Sequence, residues 1–326
     1  MLTNFMVFAF LLCFPSRPAG TNPLGRPHHR SEEKPFILGI FRPDGVIAPF
    51  ARYSHKKWSN PWPNPNPGEP NTIADLSKPW YESQIEATRS WQVLLPSTGV
   101  QTVTTSQSAQ FCSHCQKVWG LLSDYRKAKQ PGPNECVVNI GIALSCRKQA
   151  IAMTSLTNTS LNWNRITGFA GAKFDRAEKK GLAQLISPLY LAQIPPPEKR
   201  ARTPLTMTGL YQAQLSNGEQ VFYFEARKSY NRPADANDAG CENISLLGGW
   251  IRKRKDGRLT LLESHFSSTD CDMKEAGLDR PFAILRLDGK SFAIVEEDGY
   301  EGESYTILEI RRSSVRRVLE TYAGSC

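Results

Sequence analysis

The chain has no run of the ~20 apolar residues a membrane-spanning helix needs, which excludes a polytopic helical membrane protein. It also lacks GxSxG, HExxH, P-loop and GxGxxG patterns. Their absence removes nucleophile-elbow hydrolases, zincins and the common nucleotide-binding folds from consideration. No second CxxC, CxxH or HxxxH exists to complete a two-pair zinc site, so neither a metal nor a cofactor is predicted. No repeat of constant period is present, which argues against a propeller. Histidine is scarce, at five residues. Turn residues are not: 23 Gly and 23 Pro among 326 exceed what a helical bundle carries. With 40% apolar and 22% charged residues the composition is globular, which excludes disorder.

Residues 1–20 read as a signal peptide. Met1–Phe14 is mostly apolar, Pro15 breaks the run, and Ala19-Gly20 offers a small-residue cleavage site. The match departs from pattern in having no Lys or Arg at its start and Arg17 or Pro18 at −3. Leu12 before Cys13 is too large for lipoprotein processing. Residues 21–35 read as a disordered tether, and His28-His29 within it supply too few fixed ligands to hold a metal. This reading makes the protein secreted or periplasmic.

Residues 36–200 form an N-terminal β-rich region. Phe36–Phe41 and Val46–Tyr53 flank Arg42-Pro43-Asp44-Gly45 as a hairpin. Trp58–Pro70 carries five prolines and is an extended loop; Trp58 and Trp62 are either an exposed ligand platform or staples holding the loop down. Trp91–Leu95 and Val100–Thr105 form a second hairpin, Cys112–Tyr125 begins a short helix, and Val137–Ser145 is a strand. A longer helix spans residues 164–185: Ile166, Phe169, Ala170, Phe174, Ala177, Leu182 and Leu185 share a stripe, opposite Asp175, Arg176, Glu178, Lys179 and Lys180. The three prolines at 195–197 mark a seam.

Residues 201–326 form a C-terminal meander. Gly turns at Asn217-Gly218, Asp256-Gly257, Asp288-Gly289 and Asp298-Gly299 punctuate eight strands. Two-residue connections join only antiparallel neighbours. The predicted class is therefore mainly β (α+β): an antiparallel meander, as a barrel, sandwich or curved sheet, with one amphipathic helix packed on it.

Losing Cys13 with the signal leaves seven of the eight cysteines. Cys241 and Cys271 bracket the hairpin at Asp256-Gly257, a suitable topology for a disulfide. Cys136 and Cys146, at opposite ends of one strand, stand too far apart to pair. Cys112-Ser113-His114-Cys115 is open to three readings: structural disulfide, redox pair, or half a metal site.

The formal charge is +9, concentrated at Arg252-Lys253-Arg254-Lys255 with Arg258, and at Arg311, Arg312, Arg316 and Arg317. These are solvated hairpin tips that discourage edge pairing, or a surface for a polyanionic glycan or envelope component; nucleic acid is not expected. Catalytic candidates are His265 with Asp270, and the acidic group around Gly299-Tyr300, which includes Glu297 and Glu301. That group otherwise reads as a solvated connection. The leading expectation is non-enzymatic binding or an envelope structural role, through Trp58 and Trp62 or through Arg252, Lys253 and Arg254. The rivals are an extracellular hydrolase using carboxylates with His265, and a thiol-disulfide oxidoreductase using Cys112 and Cys115.

Overall fold

The computed structural model describes residues 34–62, 72–73, 76–113, 116–125, 138–184, 195–215, 217–231, 242–269, 278–299 and 302–325. The expected signal peptide, and the tether except residues 34–35, lie outside them.

Seven strands come first: β1 (Phe36–Phe41), β2 (Val46–Ser54), β3 (Lys57–Ser59), β4 (Ser90–Leu95), β5 (Gly99–Ser113), β6 (Gln116–Ser123) and β7 (Gly141–Leu144), with helix α1 (Lys78–Ala87) between β3 and β4. Six close into an antiparallel barrel in the order β1-β7-β4-β5-β6-β2, and β3 extends β2 outside the ring. The Arg42–Gly45 turn joins β1 to β2 as expected: Gly45 takes φ 81° and Val46 N donates to Asp44 Oδ1 at 3.1 Å. Phe41, Ile47, Trp91, Val93, Val103, Leu121 and Ala143 form a cluster to which α1 adds Tyr81.

β7 enters between β1 and β4 at Gly141, where a Cβ would collide with the Leu94 carbonyl oxygen. Gly141→Val is therefore expected to lower stability by about 2–3 kcal/mol in urea unfolding, because a backbone contact cannot move aside as a side chain can. An unchanged midpoint would contradict this seating of β7.

The rest of the chain supplies β8 (Ala150–Ala152), β9 (Thr154–Ser155), α2 (Leu161–Leu182), α3 (Pro197–Arg202), β10 (Thr206–Gln214), β11 (Gln220–Asn231), β12 (Glu242–Lys253), β13 (Leu259–Thr269), β14 (Leu278–Leu287), β15 (Lys290–Asp298), β16 (Gly302–Ile310) and β17 (Val315–Ser325). They build two five-stranded antiparallel sheets, β13-β12-β11-β10-β9 and β17-β16-β15-β14-β8. The short β8 and β9, separated by Met153, each extend an edge of a different sheet.

Four layers result. The outer face of the barrel, with Leu38, Phe50 and Ile142, packs on Leu285, Phe292 and Ile294 of the β14–β17 sheet. The other face of that sheet, with Ala293, Val295 and Leu308, packs on Val221, Tyr223 and Trp250 of the β10–β13 sheet. The far face of the latter, with Phe222, Phe224 and Leu247, receives Ile166, Ala170 and Phe174 of α2. Both sheets are covered on both sides, so β11 and β15 read as continuous apolar runs. One hydrophobic cluster thus joins residues from both sides of position 200. No helix among the described residues is long and apolar enough to cross a membrane.

The mainly antiparallel β class is the observed one, and all four Gly turns join paired neighbours. The meander is divided, however, because β13 and β14 lie in different sheets. The helix expected from Cys112 to Tyr125 is instead the end of β5 and all of β6. Phe111 and Val118 are buried there and pair in register, so long-range pairing overrides the local helix signal. Trp58, expected in a loop, lies in β3. The long helix begins three residues earlier than residue 164, because the Ser160 hydroxyl accepts from Trp163 N at 3.1 Å and caps it there. Glu178 belongs to the packed side of that helix, where it is buried and accepts from Tyr230 OH at 2.5 Å.

Candidate functional site

The turns β10–β11, β12–β13, β14–β15 and β16–β17 fall at one end of the paired sheets. Leu215 and Asn217, Arg252, Arg286 with Lys290, and Glu309 with Arg311 and Arg312 line one hollow of about 450 Å³. Lys255 approaches the same corner, beside Gly218. The tight turns require backbone that only a few residue types tolerate: Gly218, Gly257 and Gly289 take φ 79°, 83° and 76°, and Asp288 takes φ 50°.

Among the described residues this end carries the cations Arg165, Arg252, Lys253, Arg254, Lys255, Arg258, Arg286, Lys290, Arg311, Arg312 and Arg316, against the carboxylates Glu219, Asp256, Asp288 and Glu309. Two of the carboxylates fix the geometry. Arg252 binds Glu219 through its Nη2 and, at 3.0 Å, its Nε, while its Nη1 donates to the Arg311 carbonyl at 3.2 Å and so ties the two sheets together. These hydrogen bonds from Arg252 hold the Glu219 carboxyl below its usual range. Glu309 is buried and receives Arg311 at 3.0 Å, Arg316 at 2.7 Å and Lys290 at 3.6 Å. Burial alone would raise its pKa; the hydrogen bonds from Arg311 and Arg316 outweigh burial and lower it. Arg286 and Arg312 make no ion pair among the described residues. The result is a pre-organised cationic hollow whose unpaired guanidinium groups can receive sulfate, phosphate or carboxylate groups.

Toward the other end of the same inter-sheet space lies a cleft of about 340 Å³ lined by Trp250, Glu263, His265, Asp279, Glu297 and Arg317. Period-two alternation builds it. On β15, Ala293 and Val295 fill the apolar core between the sheets and Glu297 continues that face. Gly248 opposes His265 across the β12–β13 ladder, and a Cβ there would occupy the imidazole's place. Arg317 Nη2 donates to both oxygens of Glu297, at 2.8 and 3.0 Å. His265 Nε2 stands 4.0 Å from Asp279 Oδ2. Tyr223 OH donates to Glu225 Oε1 at 3.2 Å, and Asp279 N donates to the same oxygen at 3.1 Å. Burial raises Asp279 to about 6. Burial, reinforced by the nearby charge of Asp279, raises Glu225 to about 7. Burial also raises Glu297, against the pull of Arg317, and lowers His265.

A third cluster faces the barrel. Asn139 Nδ2 donates to Glu296 Oε1 at 2.5 Å and to Glu303 Oε1 at 2.9 Å; Tyr305 OH donates to the latter oxygen at 2.5 Å, and Ser113 of β5 to Glu303 Oε2 at 3.2 Å. Arg280 Nη1 approaches Glu296 Oε2 at 3.4 Å. Glu296 and Glu303 are only 6% and 8% exposed, so the solvated connection expected around Gly299 is not what these two residues form. Burial, then the like charge of Glu303, pushes Glu296 up to about 8.

The structure therefore brings together Arg252 with the Arg311–Arg312 group, and His265 with Glu297. Lys253 points away from the hollow, its Nζ donating to Asn162 Oδ1 at 3.0 Å. Arg254 stands in the β12–β13 turn. Trp58 packs against Tyr53 and Phe292, with ring centroids 4.9 and 5.7 Å away, and buried Trp62 packs edge-on to Trp80 at 5.6 Å. Cys112 lies in β5. Asp270, Glu301, Cys115, Cys136, Cys241, Cys271 and His28-His29 lie outside the described residues. No group of three His, Cys, Asp or Glu among the described residues has metal-holding geometry. The sequence pattern did not single out Arg286 and Asp279, each of which reaches its site through cross-strand pairing of β14 with β15. Asp279 pairs with Glu297 on β15, a register that alternation alone does not fix.

No protein-family model, curated protein or solved structure matches the chain.

Proposed function

We propose that the protein is an exported binding protein that grips an anionic polymer, such as a sulfated or uronate-bearing glycan of the cell envelope, with the basic end of its paired sheets. The observation that carries this reading is the meeting of Arg252, Arg286, Lys290, Arg311 and Arg312, from different strands and turns, in one hollow. Cations scattered for solubility alone have no reason to converge, nor to be held in position by buried Glu309. Export rests on the apolar first segment and the break after it.

The test is retention on a sulfated-dextran resin. The triple variant Arg286→Gln, Lys290→Gln, Arg312→Gln is expected to elute at much lower salt than the natural chain. Lys179→Gln with Lys199→Gln and Lys56→Gln, which removes the same charge elsewhere, is expected to elute close to it. Equal shifts for the two variants would reduce the interaction to net charge and sink the reading.

The cleft favours a second reading, an acid–base hydrolase. Its support is that Asp279, Glu297 and His265 converge beside Trp250, with Asp279 set to exchange a proton near neutral pH. Release of reducing ends from a panel of envelope polysaccharides is the assay. Asp279→Asn is expected to lower any such rate by about 100-fold or more, since general acid–base groups contribute about 10²–10⁴. A rate unaffected by Asp279→Asn would remove the cleft from consideration as the site.

A further inference from the structure

α2 packs on the outer face of the β10–β13 sheet, where Leu259, Leu261 and Phe266 of the edge strand β13 lie against its apolar cluster. Along the flank of the helix a groove of about 410 Å³ remains. Its floor is Leu247, Leu261 and Phe266, with Ala177 and Gly181 of the helix opposite. Small residues make the space. A Cβ at Gly181 would run into the Phe266 ring, so glycine lets the helix sit against that ring. Ser264, also small, lines the groove. The polar rim is of one sign: Lys173, Arg176 and Lys180, spaced to share a helix face, line the groove, and no carboxylate among the described residues does so. None of the three takes part in an ion pair among the described residues, although Lys173 Nζ lies 5.6 Å from the Phe169 ring centroid. The acids of the same helix are engaged elsewhere, Asp175 with Lys228 and Glu178 with Tyr230.

An apolar trough with three uncompensated cations along one rim matches a ligand with one anionic head and one hydrocarbon chain. We propose that this groove binds a long-chain fatty acid as a single molecule, its chain along Leu247, Leu261 and Phe266 and its carboxylate on Arg176 and Lys180. The site is separate from the basic end and stands whether or not that end binds a polymer.

Titration calorimetry of the full chain with octanoate, decanoate and dodecanoate, each below its micelle concentration, tests this. One site is expected, tightening about four-fold per added methylene, as burial of one CH₂ dictates. Dodecyltrimethylammonium, with the same chain and opposite charge, is expected to bind at least about ten-fold more weakly than dodecanoate. Arg176→Gln with Lys180→Gln is expected to weaken dodecanoate to a similar degree, and Ser264→Trp, which fills an exposed hollow, to abolish it. Arg286→Gln with Arg312→Gln at the basic end is expected to leave it unchanged, which separates failure of this proposal from failure of the polymer reading. Affinity independent of chain length, insensitivity to Ser264→Trp, or capture by phosphatidylglycerol vesicles without binding of monomeric dodecanoate would each overturn it.

Discussion

Urea unfolding at a series of pH values will show stability falling as the pH rises from about 4.5 to about 8, with Glu296 the largest single source. Its carboxyl is raised in the folded protein above its ordinary value, so across that interval the folded state holds a proton the unfolded chain has released. The stabilisation is fully present below the unfolded pKa and is lost as the pH passes the folded one. Each unit of separation corresponds to about 1.4 kcal/mol, so the loss amounts to a few kcal/mol. Asp279 and Glu225, raised to about 6 and about 7, act in the same direction. Glu219 and Glu309, held low by their arginines, act in the opposite one, and their contribution disappears as the pH falls below the usual carboxylate range. Glu296→Gln, which imitates the protonated carboxyl, is expected to flatten the decline while keeping the fold. A decline of undiminished steepness in that variant would show that the titrating group lies elsewhere.

Removal of three unpartnered or exposed cations at the basic end is the change expected to act most on binding. Surface ion pairs contribute about 0.5 kcal/mol each, so Arg286→Gln, Lys290→Gln and Arg312→Gln together come to roughly ten-fold in affinity for a sulfated glycan at physiological salt. Arg252 works differently. It is held by Glu219 and by the Arg311 carbonyl, so Arg252→Gln releases the geometry of the hollow as well as one charge, and its effect is expected to exceed that of any of the three taken singly. Fluorescence anisotropy of a labelled sulfated oligosaccharide measures both, and an Arg252→Gln effect smaller than that of Arg312→Gln would contradict the role given to the Glu219 clamp.

The strands of the second half were legible because Asn-Gly and Asp-Gly turns have few other uses, and because a two-residue connection settles which neighbours pair. The four-layer arrangement was not. It depends on where the meander breaks, between β13 and β14, and nothing in the alternation around that break tells one sheet from two. A hint existed in β11 and β15, where Phe222 and Phe224, or Phe292 and Ile294, face one way and equally apolar neighbours the other, as strands covered on both sides must. Arg252 and the Arg311–Arg312 group could be named as charged tips from sequence; their meeting in one hollow required the stacking of the sheets. Glu296 and Glu297 show the same limit more sharply. Adjacent in sequence and alike in chemistry, they point to opposite faces of β15, one into a buried network against the barrel and the other into the cleft with His265.

The most direct test of the polymer-binding reading is the slope of log affinity against log salt for the sulfated oligosaccharide, measured on the natural chain and on the Arg286, Lys290, Arg312 triple variant. Release of counterions makes affinity fall steeply with salt, by up to about one unit of slope for each cation engaged. A steep slope for the natural chain, and one shallower by two to three units (~) in the variant, is the predicted result. Identical slopes for the two proteins would show that the hollow at the basic end does not hold the polymer.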